Sequence, residues 1–170
     1  TLIYISNCRN LEKIDLSQLD HVVHIVIINN PKLKTINLSN LKQTYSITIV
    51  DNSTNMKINI NELEFFWNLY ISQENGSQTI ETLTIKPTLF IYKQIKIIRL
   101  SNITTIQDSS NNTITEINFF NPTNQAEPDI IQITNTQIEK IILPTVVENL
   151  LEITKNTKLT EIVANPNSDF

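Results

Sequence analysis

The sequence has very little glycine, since Gly76 is the only one among 170 residues. Dinucleotide-binding turns, phosphate-binding loops and the nucleophile elbow of hydrolases each need two or three closely spaced glycines. None of these motifs can be assembled from this chain, and no other catalytic motif is present. We therefore expect a protein without enzymatic activity and without a cofactor.

Positive charge and cysteine are also scarce. The net charge is −4, the only arginines are Arg9 and Arg99, and the lysines are not clustered, which argues against a nucleic-acid partner. Cys8 is the single cysteine, so the chain can form neither an internal disulfide nor a zinc site of several cysteines. The longest apolar run, Val22 to Ile28, is interrupted by His24 and is far shorter than the roughly 20 residues of a membrane-spanning helix.

Three residue types dominate what is present. Isoleucine, asparagine and threonine number 30, 23 and 20. Isoleucine and threonine are β-branched and favour strands, whereas asparagine favours turns and tolerates a left-handed backbone. Ala126 and Ala164 are the only alanines, although alanine is the strongest helix former. The composition predicts a mainly β fold with few or no helices.

A repeat of 22 residues runs through residues 1–72 without a gap. Its unit reads Ile-x-Ile-x-Asn, then three spacers, then Leu-x-x-Ile-x-Leu-x-x-Leu. The recurring sets are Ile3, Ile25, Ile47 and Leu69; Ile5, Ile27, Ile49 and Ile71; Ile14, Ile36, Ile58 and Ile80; and Leu16, Leu38 and Ile60. A fixed period held in several registers indicates stacked repeats.

Residues 73–164 keep the unit but lose the strict spacing. Its first half restarts at Ile98, Ile131 and Leu151. A short insertion around Gly76 and a longer polar one at Asp108 interrupt the spacing. The second half of the unit recurs in four sets: Ile80, Leu83 and Ile85; Ile114, Ile117 and Phe119; Ile138, Ile141 and Leu143; and Leu159, Ile162 and Ala164. We interpret this part as irregular coils with insertions.

Both halves of the unit alternate apolar and variable residues with a period of two, which is typical of a short strand with one buried face. The link between the halves is too short for a helix and its turns. One coil cannot bury its own apolar face, whereas stacked coils share a continuous core. We predict a right-handed parallel β-solenoid of about seven coils, forming a single repeat domain over residues 1–170.

The start of the chain lacks a cap. Thr1 is not a methionine and leads almost directly into the predicted strand at Ile3. Repeat arrays normally carry polar caps, which prevent association through an open edge. We therefore expect this chain to be a fragment of a larger protein, or to associate with itself or another chain through its first coil.

One position of the repeat lies directly after the first strand, where the chain must turn. It is occupied by Asn7, Asn29, Asp51, Asn102 and Asn135, with Lys155 in the last coil. A side-chain amide there can bond backbone groups of its own coil and of the next. We predict a structural asparagine ladder in this register. Asn102 should be buried, and a local adjustment should occur at Asp51, whose carboxylate cannot donate.

The segment from Ile25 to Leu38, Ile-Val-Ile-Ile-Asn-Asn-Pro-Lys-Leu-Lys-Thr-Ile-Asn-Leu, resembles the leucine-rich repeat solenoid of the receptor L-domain type. That type occurs in insulin- and epidermal-growth-factor-receptor ectodomains and in fungal glycolipid-anchored cell-wall proteins. Residues 1–72 match its unit in register, but the cysteines common in receptor ectodomains are missing. The resemblance implies a module that binds partners or builds walls and is not itself catalytic.

Outward positions on the first sheet are the candidates for binding. They are Tyr4, Val26, Ile28, Thr48, Val50 and Tyr70, with Ser6 and Ser72 near the strand ends. An apolar patch flanked by tyrosines suits a protein partner; the alternative is that a loop or a flanking domain covers it. The outward row of the second sheet, Asp15, Asn37 and Asn59, is a polar strip that we expect to be solvated.

Two weaker candidate sites are a metal site and a pair of carboxylates for glycoside cleavage. His21 and His24 beside Asp20 could share a metal ion, although two histidines on a corner are more often ordinary surface residues, and we predict no metal site. Glycoside cleavage needs two carboxylates about 5–10 Å apart in a cleft. Glu62, Glu64, Glu74 and Glu81 are close in sequence, but nothing in the sequence places them in one.

Five Asn-x-Ser/Thr sequons are present, about as many as this composition gives by chance. Asn75 and Asn111 lie in insertions and are the expected glycosylation sites if the protein enters the secretory route.

We expect a non-enzymatic protein-binding or scaffold solenoid at the cell surface or in an extracellular coat. The alternatives are a cytoplasmic leucine-rich module that regulates or targets a signalling domain and, as a minor one, a polysaccharide-active β-helix.

Overall fold

The computed structural model describes residues 1–74, 80–85, 97–108, 110, 112–119 and 128–164. These residues form β-strands and no helix. The strands are β1 (Leu2–Ser6), β2 (Lys13–Asp15), β3 (His21–Ile28), β4 (Thr35–Asn37), β5 (Gln43–Val50), β6 (Lys57–Asn59), β7 (Asn68–Ser72), β8 (Ile80–Thr84), β9 (Ile97–Ser101), β10 (Ile103–Gln107), β11 (Glu116–Asn118), β12 (Ile130–Thr134), β13 (Lys140–Ile142), β14 (Leu150–Thr154) and β15 (Glu161–Val163). The predicted mainly β fold is confirmed.

The first strands of successive coils form one seven-stranded sheet, called sheet A below, in the order β1-β3-β5-β7-β9-β12-β14. Each neighbouring pair is parallel. Because parallel neighbours need a crossover between them, the second strand of each coil supplies the return path on another side. The result is a parallel β-solenoid of about six turns with coils of ~22 residues.

The return strands form two sheets rather than one. Sheet B has the order β10-β8-β6-β4-β2, and sheet C has the order β11-β13-β15. The division falls within the coil that begins with β9, where β10 still pairs with β8 and β11 then starts the new sheet. The 22-residue period does not predict β10. Its two buried residues, Ile103 and Ile106, are 1% exposed.

The stacking of equivalent residues in sheet A is confirmed. Ile5 pairs with Ile27, Ile27 with Ile49 and Ile49 with Ile71, and the column continues through Leu100, Ile133 and Ile153. Ile27, Ile49 and Ile71 are fully buried. One continuous apolar core therefore runs along the solenoid axis.

One predicted column of equivalent residues is wrong after the insertion around Gly76. The partner of Ile58 in sheet B is Leu83 and not Ile80, so the 22-residue step from Ile58 to Ile80 does not describe the stacking. The other interpretation, in which Ile80, Leu83 and Ile85 form one set, is confirmed by this pairing. The extra residues between β7 and β8 shift the register, and Ile80 pairs instead with Ile103.

The corners after six of the seven strands of sheet A have a left-handed backbone. Positive φ angles occur at Asn7, Asn29, Asp51, Asn102, Asn135 and Lys155, all between 50° and 58°. Asparagine and aspartate adopt this conformation at low cost, which explains their recurrence at this position. Gln73, the equivalent residue after β7, is not among the residues with positive φ in the described part of the chain.

The side chains of this register form an outer row that bonds from coil to coil, and Asn102 Nδ2 also donates to the Gln73 carbonyl at 2.6 Å. Asn29 Nδ2 donates to Asn7 Oδ1 and Asn135 Nδ2 donates to Asn102 Oδ1, each at 2.6 Å. Asn102 is half-buried, not buried as predicted, because the left-handed turn directs this residue towards the surface. Asp51 Oδ1 accepts a bond from the Glu74 backbone N–H at 2.6 Å, which is an adjustment of the expected kind.

The amides that bond buried backbone groups lie one residue later. Asn52 is 3% exposed, and its Nδ2 donates to the carbonyls of Ile27 and Val50 at 2.9 and 3.0 Å. Its Oδ1 accepts from both the backbone N–H and the Nδ2 of Asn30 at 3.1 and 2.8 Å. Asn156 repeats the arrangement by donating to the carbonyl of Ile133 at 2.8 Å. A second and more buried row of amides therefore lies one residue after the predicted ladder.

We predict that Ile27→Asn lowers the free energy of unfolding by about 3–5 kcal/mol, because it removes a buried apolar side chain and buries an unpaired amide. The measurement is urea denaturation. Val26→Asn, an outward position of the same strand, is the matched control and should cost less than about 1 kcal/mol. Equal losses would contradict the assignment of the core face.

We predict that Asn52→Ala costs about 2–4 kcal/mol, because it leaves buried N–H and carbonyl groups of two coils without partners. Asn29→Gly is the control. It keeps the left-handed corner and removes only an exposed bond, so the loss should stay below about 1 kcal/mol. The same denaturation measurement distinguishes the two registers, and a larger loss for Asn29→Gly would show that the outer row is the structural one.

Candidate binding surface

The outer face of sheet A carries two rows of side chains that run along the solenoid axis. The central row is Tyr4, Val26, Thr48, Tyr70, Arg99, Gln132 and Glu152, and the row beside it is Ser6, Ile28, Val50, Ser72, Ser101, Thr134 and Thr154. Side chains alternate between the two faces of a strand, so these rows are opposite the buried isoleucine columns. We call this surface the outer face.

The predicted binding residues are on this face, with one correction. Tyr4 is 62% exposed, and Val26, Ile28, Thr48 and Tyr70 are half-buried. Val50 is only 8% exposed, so its predicted availability for a partner is wrong. It is flanked by Ile28 and Ser72 on the adjacent strands, directly before the corner at Asp51, and these neighbours shield it.

Aromatic side chains stack next to the N-terminal half of the outer face. The Tyr45 and Trp67 rings are stacked, with centroids 5.4 Å apart and an interplanar angle of 11°. The His24 ring meets Tyr45 edge-on at 5.2 Å, and its Nδ1 lies 2.8 Å from Ser46 Oγ. His24 is thus engaged in packing and hydrogen bonding with these neighbours.

The two histidines that were considered as a metal site have different surroundings. His21 is exposed, whereas His24 contacts Ser46 and Tyr45. Within the described ranges, no group of three or more histidine, cysteine, aspartate or glutamate side chains is placed to hold a metal ion.

The C-terminal half of the outer face contains a groove with a volume of about 320 Å³. We call it the Arg99 groove. It is lined by Tyr70, Ser72, Arg99, Leu100, Ser101, Gln132, Thr134 and Glu152. The Arg99 guanidinium carbon is 5.2 Å from the centroid of the Tyr70 ring, within the range of a cation–π interaction.

Polar contacts link neighbouring strands within the groove. Gln132 Nε2 donates to Glu152 Oε2 at 2.6 Å, and Ser101 Oγ donates to Ser72 Oγ at 2.8 Å. Along the axis, the outer face therefore changes from aromatic and aliphatic groups to charged and hydrogen-bonding groups. Of the residues that line this groove, Tyr70 and Ser72 were predicted from the sequence as outward positions. The position of Arg99 between the inward residues Ile98 and Leu100 was the signal for an outward side chain.

In the polar strip on sheet B, one hydrogen bond links neighbouring coils. Asn37 Nδ2 donates to Asp15 Oδ1 at 3.2 Å; Asp15 is exposed, whereas Asn37 and Asn59 are half-buried. A second groove of about 290 Å³ lies over this strip and includes Lys13 and Lys57. Hydrogen bonds from Ser17, followed by the contact with Lys13, lower the pKa of Asp15 to about 2.

The four glutamates considered for glycoside cleavage line neither groove. Glu81 forms an ion pair with Lys57 at 3.5 Å, and Glu62 Oε1 accepts a bond from Asn61 Nδ2 at 3.1 Å. Glu64 and Glu74 are exposed. The predicted glycosylation sites Asn75 and Asn111 lie outside the described residues.

No protein-family model, curated protein or solved structure matches this chain. The class of protein is therefore given by the structure, which is a parallel β-solenoid of stacked coils. In the ranges described above, no helix is long and apolar enough to cross a membrane.

We predict that the Asp15 carboxyl titrates near pH 2, well below its ordinary value of 3.8, as followed by the NMR shift of its carboxyl carbon. Ser17→Ala should raise this midpoint, because it removes a side-chain bond to the charged form. The lowered pKa adds stability above pH 3.8 that is lost as the pH falls towards 2. Asp15→Asn, as a control, should lack this part of the pH dependence. An ordinary midpoint in the unsubstituted protein would contradict the arrangement.

Proposed function

We propose that this chain is a non-enzymatic solenoid module that binds a protein partner, or acts as a scaffold, through the outer face of sheet A. The observation that supports this most directly is the pair of outward rows across seven parallel strands. They present aromatic, apolar and charged groups in one surface about 29 Å long at the usual strand spacing. A length of this order suits a standard protein–protein interface.

The architecture separates folding from recognition. The core columns occupy inward positions, so the outward positions of the same strands do not build these columns. Solenoids with concave or flat sheet faces use such positions to bind partners. Tyrosine and arginine, which are enriched in interface centres, stand next to each other here as Tyr70 and Arg99.

We propose an extracellular or cell-surface location, supported by the L-domain-like unit between Ile25 and Leu38 and by the threonine- and asparagine-rich composition. The exposed free thiol of Cys8 favours the alternative, a cytoplasmic regulatory or targeting module. Peptide mapping of material from the native source distinguishes the two. N-glycans at Asn75 and Asn111 support secretion, and unmodified sites contradict it. The sequon asparagine Asn52 is an internal control, because its buried amide should remain unmodified.

We predict that Thr48→Glu leaves the fold intact but weakens binding of a partner by at least about tenfold, because it places a charge in the apolar part of the outer face. Thr35→Glu is the matched control. Thr35 is also half-buried in a central strand, but it lies on sheet B between Lys13 and Lys57. The measurement is the dissociation constant of a partner isolated with the unsubstituted protein.

Unchanged binding by Thr48→Glu, with a circular dichroism spectrum like that of the unsubstituted protein, would contradict the use of the outer face. Equal losses in both variants would also contradict it, because a general effect of added charge would then explain the result.

A further inference from the structure

We propose that the Arg99 groove is a carboxylate-binding subsite, which receives an acidic side chain of the partner. This inference rests on the proposed function, since it assumes that the outer face meets a protein. It adds the chemistry of recognition, namely a single carboxylate at Arg99 and a positively charged group near Glu152.

The first argument is that Arg99 has unused hydrogen-bonding capacity. Its Nε is buried and has no hydrogen-bond partner in the described part of the chain. The groove around it has room for a ligand, with a volume of about 320 Å³. A guanidinium is always charged and has five N–H donors and no acceptor, so an acceptor entering the groove would satisfy the Nε–H donor, which lacks a partner in the described part of the chain.

The second argument is that Arg99 is held in place before a ligand binds. The Tyr70 ring lies under the guanidinium at 5.2 Å, and the cation–π contact fixes the plane of the group without using its N–H donors. A planar, fixed guanidinium fits the two oxygens of a carboxylate in a bidentate arrangement. Less rotamer freedom then has to be lost on binding.

The groove contains a second charged side chain, that of Glu152. Glu152 is two strands away, about 9.6 Å at the usual strand spacing, and Gln132 occupies the position between the two charges. Gln132 already donates to Glu152. A ligand with one negative charge fits better than a phosphate dianion, since extra negative charge would be repelled by Glu152. A lysine or arginine of the same ligand would instead complement it.

The test is an NMR titration of the full chain, labelled with ¹⁵N at arginine. Only two Nε–H signals are expected, since Arg9 and Arg99 are the only arginines, and Arg9 is exposed and acts as an internal control. The probes are sodium acetate, the blocked tripeptide Asp-Ser-Lys and its counterpart Asn-Ser-Lys, which lacks the carboxylate, all at constant ionic strength. In an extended peptide the first and third side chains point to the same face, about 7 Å apart, and the long lysine side chain covers the remaining distance to Glu152.

We expect saturable shifts of the Arg99 signal with acetate and with the aspartate peptide, the peptide acting at about tenfold lower concentration. The Arg9 signal should change only slightly and linearly. Equal, non-saturating shifts of both arginines would overturn the subsite. If acetate and the aspartate peptide bind with equal affinity, a partner side chain is not the source of the carboxylate. The same conclusion follows if the asparagine peptide binds as tightly as the aspartate peptide.

Variants complete the test. Arg99→Gln should abolish peptide binding, followed by the Tyr70 ring signals, and Arg99→Lys should weaken it by about tenfold, since it keeps the charge but lacks the planar fork. Full binding by Arg99→Gln, with an unchanged backbone amide spectrum, would overturn the inference. If the peptide does not bind but Thr48→Glu weakens partner binding, the subsite is wrong and the proposed function stands. If the peptide binds at Arg99 but Thr48→Glu leaves partner binding unchanged, the proposed function is wrong instead.

Discussion

The parallel stacking of the coils is the constraint on which the rest of this structure depends. At each step along sheet A, a residue pairs with the residue at the same position of the next coil. The isoleucine columns, the left-handed corners and the outward rows therefore arise together. A slip of one residue would turn the isoleucines outwards and the polar rows inwards, so burial of the columns holds the register.

The corners show how polar groups are included in such a stack. Each turn breaks the ladder of backbone bonds, and buried carbonyls must find other donors. Asn30 and Asn52 supply these donors from the position after the left-handed residue, where the side chain turns back into the coil. The preceding residue, such as Asn29, is selected for its backbone conformation. Two adjacent asparagines thus have different physical roles in the same turn.

Much of the fold could be predicted because its signal is local and repeated. Ile5, Ile27 and Ile49 recur at one spacing, and alternation identifies them as one buried face. At the insertion the sequence allowed two registers, and only the strand pairing decided that Leu83, and not Ile80, lies opposite Ile58. Two other features could not be predicted in this way. Strand β10 has no counterpart in the repeat. The shielding of Val50 depends on neighbours from two other coils.

The amino-acid sequence by itself determined the mainly β character, the 22-residue coil and the inward columns, because period and β-branching act between near neighbours and need no knowledge of the rest. Only the tertiary structure decided which amides reach buried carbonyls and that Arg99, Tyr70 and Glu152 line one groove. Tyr70 comes from the regular part of the chain, whereas Arg99 and Glu152 come from different coils of residues 73–164, where spacing no longer gives the register. Their distances follow from strand pairing across insertions, and no local pattern encodes that.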